Sequence, residues 1–412
     1  MMRRLVLALV ALAVGLAALE GALAQSSRPA SDPGVTPTSI LIGGTAPLTG
    51  EAAAYASVAR GAEAYFKWVS SHGGVNKRQL EYRYLDDGYE PAKTIDVVRK
   101  LVEEDQVFAV FNTLGTEANL GVRDYLNARG VPQLFVASGA TTFGADAKRY
   151  PWTMGFQPSY RAEGWVYGQY LRKTRTSGKV AVLFQNDDYG KDLLASLKRS
   201  LAGSKVKVIA AESYEVTSSD ISSQVAKLKS SGADIFAIFA TPRFVLQAFE
   251  FARRLNWRPL VINNAVGAAT SIMQISWGNG LNKSVEGTIS TASYKDPASA
   301  RWKNDPGMKL YRAIMKTYAK DANPNDGFHL YGMAVAYQTV DLLQRFGKAV
   351  PTRAGLMQRA RSMQTVKNPF LLPGIVVKTG PSDGFPLNQV QLQRWTKGAW
   401  QPVGGLWTYK GQ

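Results

Sequence analysis

The chain has 412 residues, a formal net charge of +18, two histidines and no cysteine. Without cysteine there are no disulfides, thiolate metal ligands, cysteine nucleophiles or cysteine-linked lipids. Nor does the positive charge signal nucleic-acid binding, because Lys and Arg are scattered among Asp and Glu with no basic run and no aromatic-interleaved RNA motif.

Arg3 and Arg4 are followed by an apolar run from Leu5 to Leu19, and Ala22-Leu23-Ala24 precede Gln25. A charged start, a short apolar span and small residues at a cleavable position predict a secretory signal peptide over 1–24. The run, about 15 residues, is shorter than the roughly 20 a spanning helix needs. Residues 25–37, QSSRPASDPGVTP, read as a flexible lead-in. An exported chain with neither a lipid nor a helical anchor is expected to be soluble in a bacterial periplasm. The remaining length, about 390 residues, exceeds what one hydrophobic core organises, so two lobes are expected.

Ordered structure is predicted from Ser39. Ile40, Leu41 and Ile42 form a short strand ending at Gly43-Gly44, and Val58, Ala59, Ala62, Phe66 and Val69 make a helical stripe that stops at Gly73-Gly74. The pattern repeats with strand 80–85, a helix opened by Pro91, strand 107–111, helix 116–129 and strand 131–136. A second run follows Pro158: helix 160–173, strand 180–184, helix 190–202, strand 206–211, helix 220–230, strand 235–239, helix 243–255 and strand 260–262. Alternating β and α elements predict parallel sheets covered by helices. Helices near 307–319, 327–346 and 352–363, then strands 374–378 and 389–395, suggest a return to the first lobe and a closing pass through the second.

In such sheets ligands bind beyond the carboxyl ends of the strands. After strand 107–111 come Gly115 and Thr116, and after strand 131–136 come Ser138, Gly139, Ala140 and Thr141. Both loops are rich in hydroxyls and glycine, suited to holding a carboxylate and equally suited to capping helices. After strand 180–184, Tyr189 offers a ring and a hydroxyl to a ligand, while Asp187 and Asp188 read as structural. Enzyme signatures are missing: His72 and His329 lie far apart, and no GxSxG elbow, phosphate-cradling GK[ST] loop or GxGxxG fingerprint occurs. No catalytic role, metal or cofactor is expected.

Gly44-Thr45-Ala46-Pro47-Leu48-Thr49-Gly50, GGVN at 73–76, LDDGYEP at 85–91, GVPQLF at 130–135, SGAT at 138–141 and NDDYG at 186–190 occur in that order. Together they resemble the branched-chain amino-acid type of periplasmic substrate-binding proteins, with the likeness running from about residue 38 to the end. The resemblance implies an α/β fold of the type I periplasmic binding protein: two Rossmann-like lobes with parallel sheets, joined by a three-crossover hinge. On this expectation 38–155 and 290–380 form the N-terminal lobe, and 156–289 and 381–412 the C-terminal lobe. It also implies a ligand carboxylate held at Gly115, Thr116 and Gly139 to Thr141, with Tyr189 and Thr241 on the second lobe. Tyr89 and Leu114 stand where some relatives carry a cysteine pair.

The acidic residue that pairs with the ligand ammonium in amino-acid binders aligns with Asn264. A neutral amide does not compensate a buried ammonium charge. The expectation is therefore a solute-binding component of an ABC transporter that takes a small carboxylate, an aromatic or aliphatic organic acid. A branched-chain or other amino acid paired by a different residue, and a periplasmic ligand sensor presenting to a receptor, are the alternatives. The expected partners are the small-molecule ligand and an inner-membrane ABC permease, with a monomeric chain and no nucleic acid.

Overall fold

The alternation of short apolar segments with amphipathic ones folds into two α/β sheets. The computed structural model describes residues 31–364, 367–380 and 383–411, so the signal peptide expected over 1–24 lies outside the described residues. β1 (Ser39–Ala46), β2 (Gln79–Asp86), β3 (Ala109–Phe111), β4 (Gln133–Val136) and β5 (Thr153–Gly155) form a sheet in the order β2-β1-β3-β4-β5. All its pairings are parallel.

The second sheet runs β12-β11-β10-β9-β8-β6-β7. Its strands are β6 (Gly178–Gln185), β7 (Val206–Tyr214), β8 (Ile235–Phe239), β9 (Leu260–Asn263), β10 (Ile289–Ala292), β11 (Gln389–Thr396) and β12 (Ala399–Thr408). β6 to β10 pair in parallel, while β11 and β12 add an antiparallel hairpin at the β10 edge. Helices cover both faces, so inner strands are apolar without alternation: every residue of β4 and β8 is buried.

The chain leaves the second sheet after β10 and packs two helices, Pro306–Tyr318 and Gly327–Gln344, against the helix Ala56–Ser71 of the first lobe. Two glycines permit the closer of these contacts. A Cβ on Gly61 would lie 2.0 Å from the His329 carbonyl oxygen, and one on Gly332 would lie 1.9 Å from that of Val58. The single apolar stripe expected on helix 56–71 is accordingly wider, with Tyr65 and Ala64 buried as well. Helix Gly327–Gln344 is buried almost all round, as a helix enclosed by neighbours must be.

Three details differ from the sequence reading. The described end of the lead-in is tied down: Val35 is buried and Leu41 N–H donates to Gly34 O at 2.7 Å. Residues 374–378 form no strand, because Pro373-Gly374 makes a turn closed by Ile375 N–H to Leu372 O at 3.1 Å, with Gly374 at φ 88°. The expected lobe boundary between 289 and 290 falls inside β10, which pairs with β9 and β11 in the second sheet.

Candidate functional site

In each sheet the strand order reverses direction once, between β1 and β3 in the first and between β6 and β8 in the second. At such a point neighbouring loops diverge to opposite faces and leave a crevice. A cavity of about 180 Å³ opens there, lined by Tyr55 after β1, Leu114 to Thr116 after β3, Tyr189 after β6 and Thr241 after β8. Its size suits a small solute, below the range of drug-sized pockets.

On the first lobe, Gly115 caps the 13-residue helix Thr116–Ala128 with φ 105°, and a Cβ there would lie 2.7 Å from the Tyr89 ring. Asn119 Nδ2 donates to Thr113 O at 2.8 Å and Gly115 O at 2.6 Å, and Gln133 Nε2 donates to Asn119 Oδ1 at 3.0 Å. This buried amide network fixes the loop, so the start of the helix at Gly115 and Thr116 is held in the cavity wall in a set orientation. The Thr116 and Ser138 hydroxyls lie 2.8 Å apart.

Among the expected contacts, Gly115, Thr116, Tyr189 and Thr241 line the cavity, whereas Ser138, Gly139, Ala140, Thr141 and Asn264 stand behind its wall. The 138–141 loop turns toward the second lobe. Gly139 O accepts from Tyr160 N–H at 2.7 Å, and Thr141 N–H donates to Asp192 Oδ2 at 2.7 Å. Ser138 Oγ accepts from Ala140 N–H at 3.1 Å.

On the second lobe, a chain of hydrogen bonds knits the strand ends. Thr241 N–H donates to Tyr214 Oη at 3.1 Å, Tyr214 Oη to Gln185 Oε1 at 3.1 Å, and Gln185 Nε2 to Asp187 Oδ2 at 2.7 Å. Asp187 caps the helix Asp188–Leu201 by accepting from Gly190 N–H. Burial pushes its carboxyl up to about 6 in spite of those donors. Tyr189 Oη donates to Asn264 Oδ1 at 2.8 Å, and Asn264 Nδ2 is buried without a partner. The adjacent acids Asp86 and Asp87 are structural. Asp86 takes the N–H groups of Leu48, Thr49 and Gly88, and buried Asp87 takes the Thr45 and Thr94 hydroxyls.

The sequence reading missed Glu163. It lies on the helix Tyr160–Thr174, is 4% exposed and lines the cavity. Its Oε1 accepts from Tyr167 Oη at 2.5 Å, Ala265 N–H at 2.6 Å and Thr291 Oγ1 at 2.9 Å. Burial raises its pKa against these donors. The available signal was an acid set inside the buried stripe of Tyr160, Val166, Tyr167, Tyr170 and Leu171. Also missed were the aromatic walls Tyr55, Tyr294, Phe328, Tyr331 and Trp400. The lining lysine, Lys295, is already engaged by Asp305 Oδ1 and Pro369 O, both at 2.7 Å.

Contacts across the cleft hold the two walls together. Tyr55 Oη donates to Val266 O at 3.0 Å, and Arg243 pairs with Glu51.

Residues 39–399 match the profile of a family described as periplasmic binding protein. A protein of Brucella abortus (strain 2308), "Leu/Ile/Val-binding protein homolog 2", is 32% identical over 201 residues, 48% of this chain and 52% of that protein. The chain thus spans about half the length of the curated relatives it matches. Among solved structures, a branched-chain amino-acid ABC transporter protein from Thermus thermophilus with bound valine superposes with a TM-score of 0.78 at 16% identity, covering 91% of this chain and 97% of that one. A fatty-acid ABC transporter substrate-binding protein from Thermomonospora curvata gives 0.76 at 19% identity, covering 92% and 95%. At these identities the structural likeness is one of fold.

Proposed function

We propose, from the premise that this chain belongs to the periplasmic binding protein family, that it is the extracytoplasmic solute-binding component of an ABC transporter and closes around a small carboxylate. It acts in the periplasm, binds without turnover and hands its ligand to a membrane permease. The observation that carries this reading is the start of helix Thr116–Ala128 in the cavity wall, where Gly115 and Thr116 line the cavity and Thr116 adds a hydroxyl. Backbone N–H groups and the positive end of the helix dipole favour an anion there. The apolar and aromatic part of the cavity wall, including Tyr55, Phe328 and Tyr331, suits the ligand's carbon body. Valine and a fatty acid, named for two structural neighbours, both end in a carboxylate.

A second reading, an amino acid as ligand, is favoured by Glu163, a carboxyl in the cavity wall that Asn264 by itself would not supply. Native mass spectrometry of protein purified from the periplasm tests both. A retained solute with an acid group is expected. A neutral solute lacking one would overturn the carboxylate reading.

A further inference from the structure

The carboxyl of Glu163 is lodged where two of the inter-lobe connections meet the second sheet. Its helix starts just after the first connection, and Thr291 lies one residue from the end of β10, where the second begins. Ala265, the third donor, belongs to the loop after β9. Donors from three separate elements therefore fix the carboxyl's orientation before any ligand arrives, and all three fall on Oε1. None falls on Oε2.

The groups that donate hydrogen bonds to Glu163 are Tyr167, Ala265 and Thr291, none of them a cation. Oε1 is saturated by these donors, whereas Oε2 takes none from the described residues and is not shut away among the buried unpartnered atoms, so it is open to the cavity that Glu163 lines. Glu163 is 4% exposed and still lines the cavity. The partner of Oε2 is met on the cavity side, where a ligand donor can take the place of solvent. A purely structural staple would require only the Oε1 acceptor, which a glutamine supplies equally well.

We infer that Glu163 is a specificity-determining residue whose Oε2 accepts a hydrogen bond from a donor group, an ammonium or a hydroxyl, carried on the same small skeleton as the ligand carboxylate. This rests on the carboxylate reading of the cleft. The ligand then has two unlike polar ends: an acid at the start of helix Thr116–Ala128 and a donor at Glu163, with aromatic walls around the carbon body between them.

The test is calorimetry on the full mature chain, stripped of co-purified solute, with two matched sets of acids. One is phenylalanine, phenyllactate and 3-phenylpropanoate; the other is leucine, 2-hydroxy-4-methylpentanoate and 4-methylpentanoate. Within each set only the donor changes, from ammonium to hydroxyl to hydrogen. The wild type is expected to bind at least one donor-bearing acid about tenfold or more tightly than its donor-free counterpart, the scale of one charge-assisted hydrogen bond. Glu163→Gln, which keeps the Oε1 acceptor and places an amide N–H₂ at Oε2, should erase that preference. Thr291→Val removes a donor to Oε1 and leaves Oε2 intact, so it should retain the preference. Should Glu163→Gln fail to fold by circular dichroism, Glu163→Asp, which withdraws the carboxyl by one methylene, gives the same readout. Equal binding of the donor-free acids by the wild type, or an undiminished preference in the folded Glu163 variant, overturns the inference. Methyl esters of the same compounds separate the two claims. Esters bound as tightly as acids refute the carboxylate reading while the donor preference remains readable, and a wild type that binds none of these compounds overturns both.

Discussion

Tyr189 Oη donates to Asn264 Oδ1 at 2.8 Å, so the second-lobe tyrosine that faces the cavity is held by a fully buried amide behind it. The pair joins the first turn of helix Asp188–Leu201, which follows β6, to the loop after β9, across β8. Asn264 thus acts through Tyr189, since it does not itself line the cavity. Tyr189→Phe would leave Asn264 Oδ1 without its donor, beside an Nδ2 that already lacks a partner. A loss of about 1–3 kcal/mol in stability is expected from thermal denaturation, with weaker ligand binding in calorimetry. An unchanged Tm would show that the bond carries no weight.

Gly115→Ala should weaken both binding and stability. At φ 105° the backbone is outside the range that side chains favour, and the new methyl would lie 2.7 Å from the Tyr89 ring. The strain costs about 1–3 kcal/mol, while displacement of Tyr89 and of the first helix N–H groups should lower affinity about tenfold. Titration of both proteins with the same acid checks this.

Closure should depend in part on the ion pair between Arg243 and Glu51, whose side chains are 31% and 50% exposed. Pairs this open contribute about 0–1 kcal/mol. Arg243→Gln is therefore expected to leave Tm nearly unchanged and to reduce affinity at low salt by up to about fivefold, with the difference vanishing near 1 M salt. Small-angle scattering of the wild type should also give a larger radius of gyration without ligand than with it.

Gly332→Ala should be among the most destabilising changes outside the cleft. Its Cβ would lie 1.9 Å from Val58 O, a backbone atom held within helix Ala56–Ser71, so the two helices would have to separate. Overpacking of this kind costs about 1–3 kcal/mol or more. Chemical denaturation measures it, and a change under about 0.5 kcal/mol would mean that the helices part easily.

Asp187 makes stability depend on pH with a definite sign. Burial raises it from an ordinary 3.8 to about 6, outweighing the hydrogen bonds from Gln185 and Gly190. A group whose pKa is raised by folding contributes stability that is fully present below about pH 3.8 and is lost as pH rises through about 6. Asp187→Asn removes this titration. Its stability relative to wild type should therefore rise by about 3 kcal/mol at most between pH 3.5 and pH 7, read from Tm across that range. A difference flat in pH would contradict the assignment.

Much of the architecture was readable from the chain because each βα unit carries its own pattern: a short apolar run, a polar loop, then a stripe with helical spacing. Gly115, Thr116 and Tyr189 could be placed at the cavity because position in such a sheet follows from chain order, with each loop after a strand opening on the same edge, and Thr241 through the family resemblance. The loop 138–141 has the same hydroxyl-and-glycine composition as 112–116, yet it turns to Asp192 and Tyr160 instead. Composition does not encode the direction in which a loop leaves its strand.

Local periodicity, glycine and proline punctuation and the ordered run of motifs thus determine the α/β units and the loops that reach the cleft, since these depend on neighbours a few residues apart. Only the tertiary structure decides that Glu163 faces a cavity rather than solvent, that its donors include Ala265 and Thr291, and that Phe328 and Tyr331 close the wall beside Tyr55. An acid in the first turn of a helix looks the same in sequence whether it complements the dipole or faces a ligand. What distinguishes the two is burial, and burial comes from chain segments more than a hundred residues away.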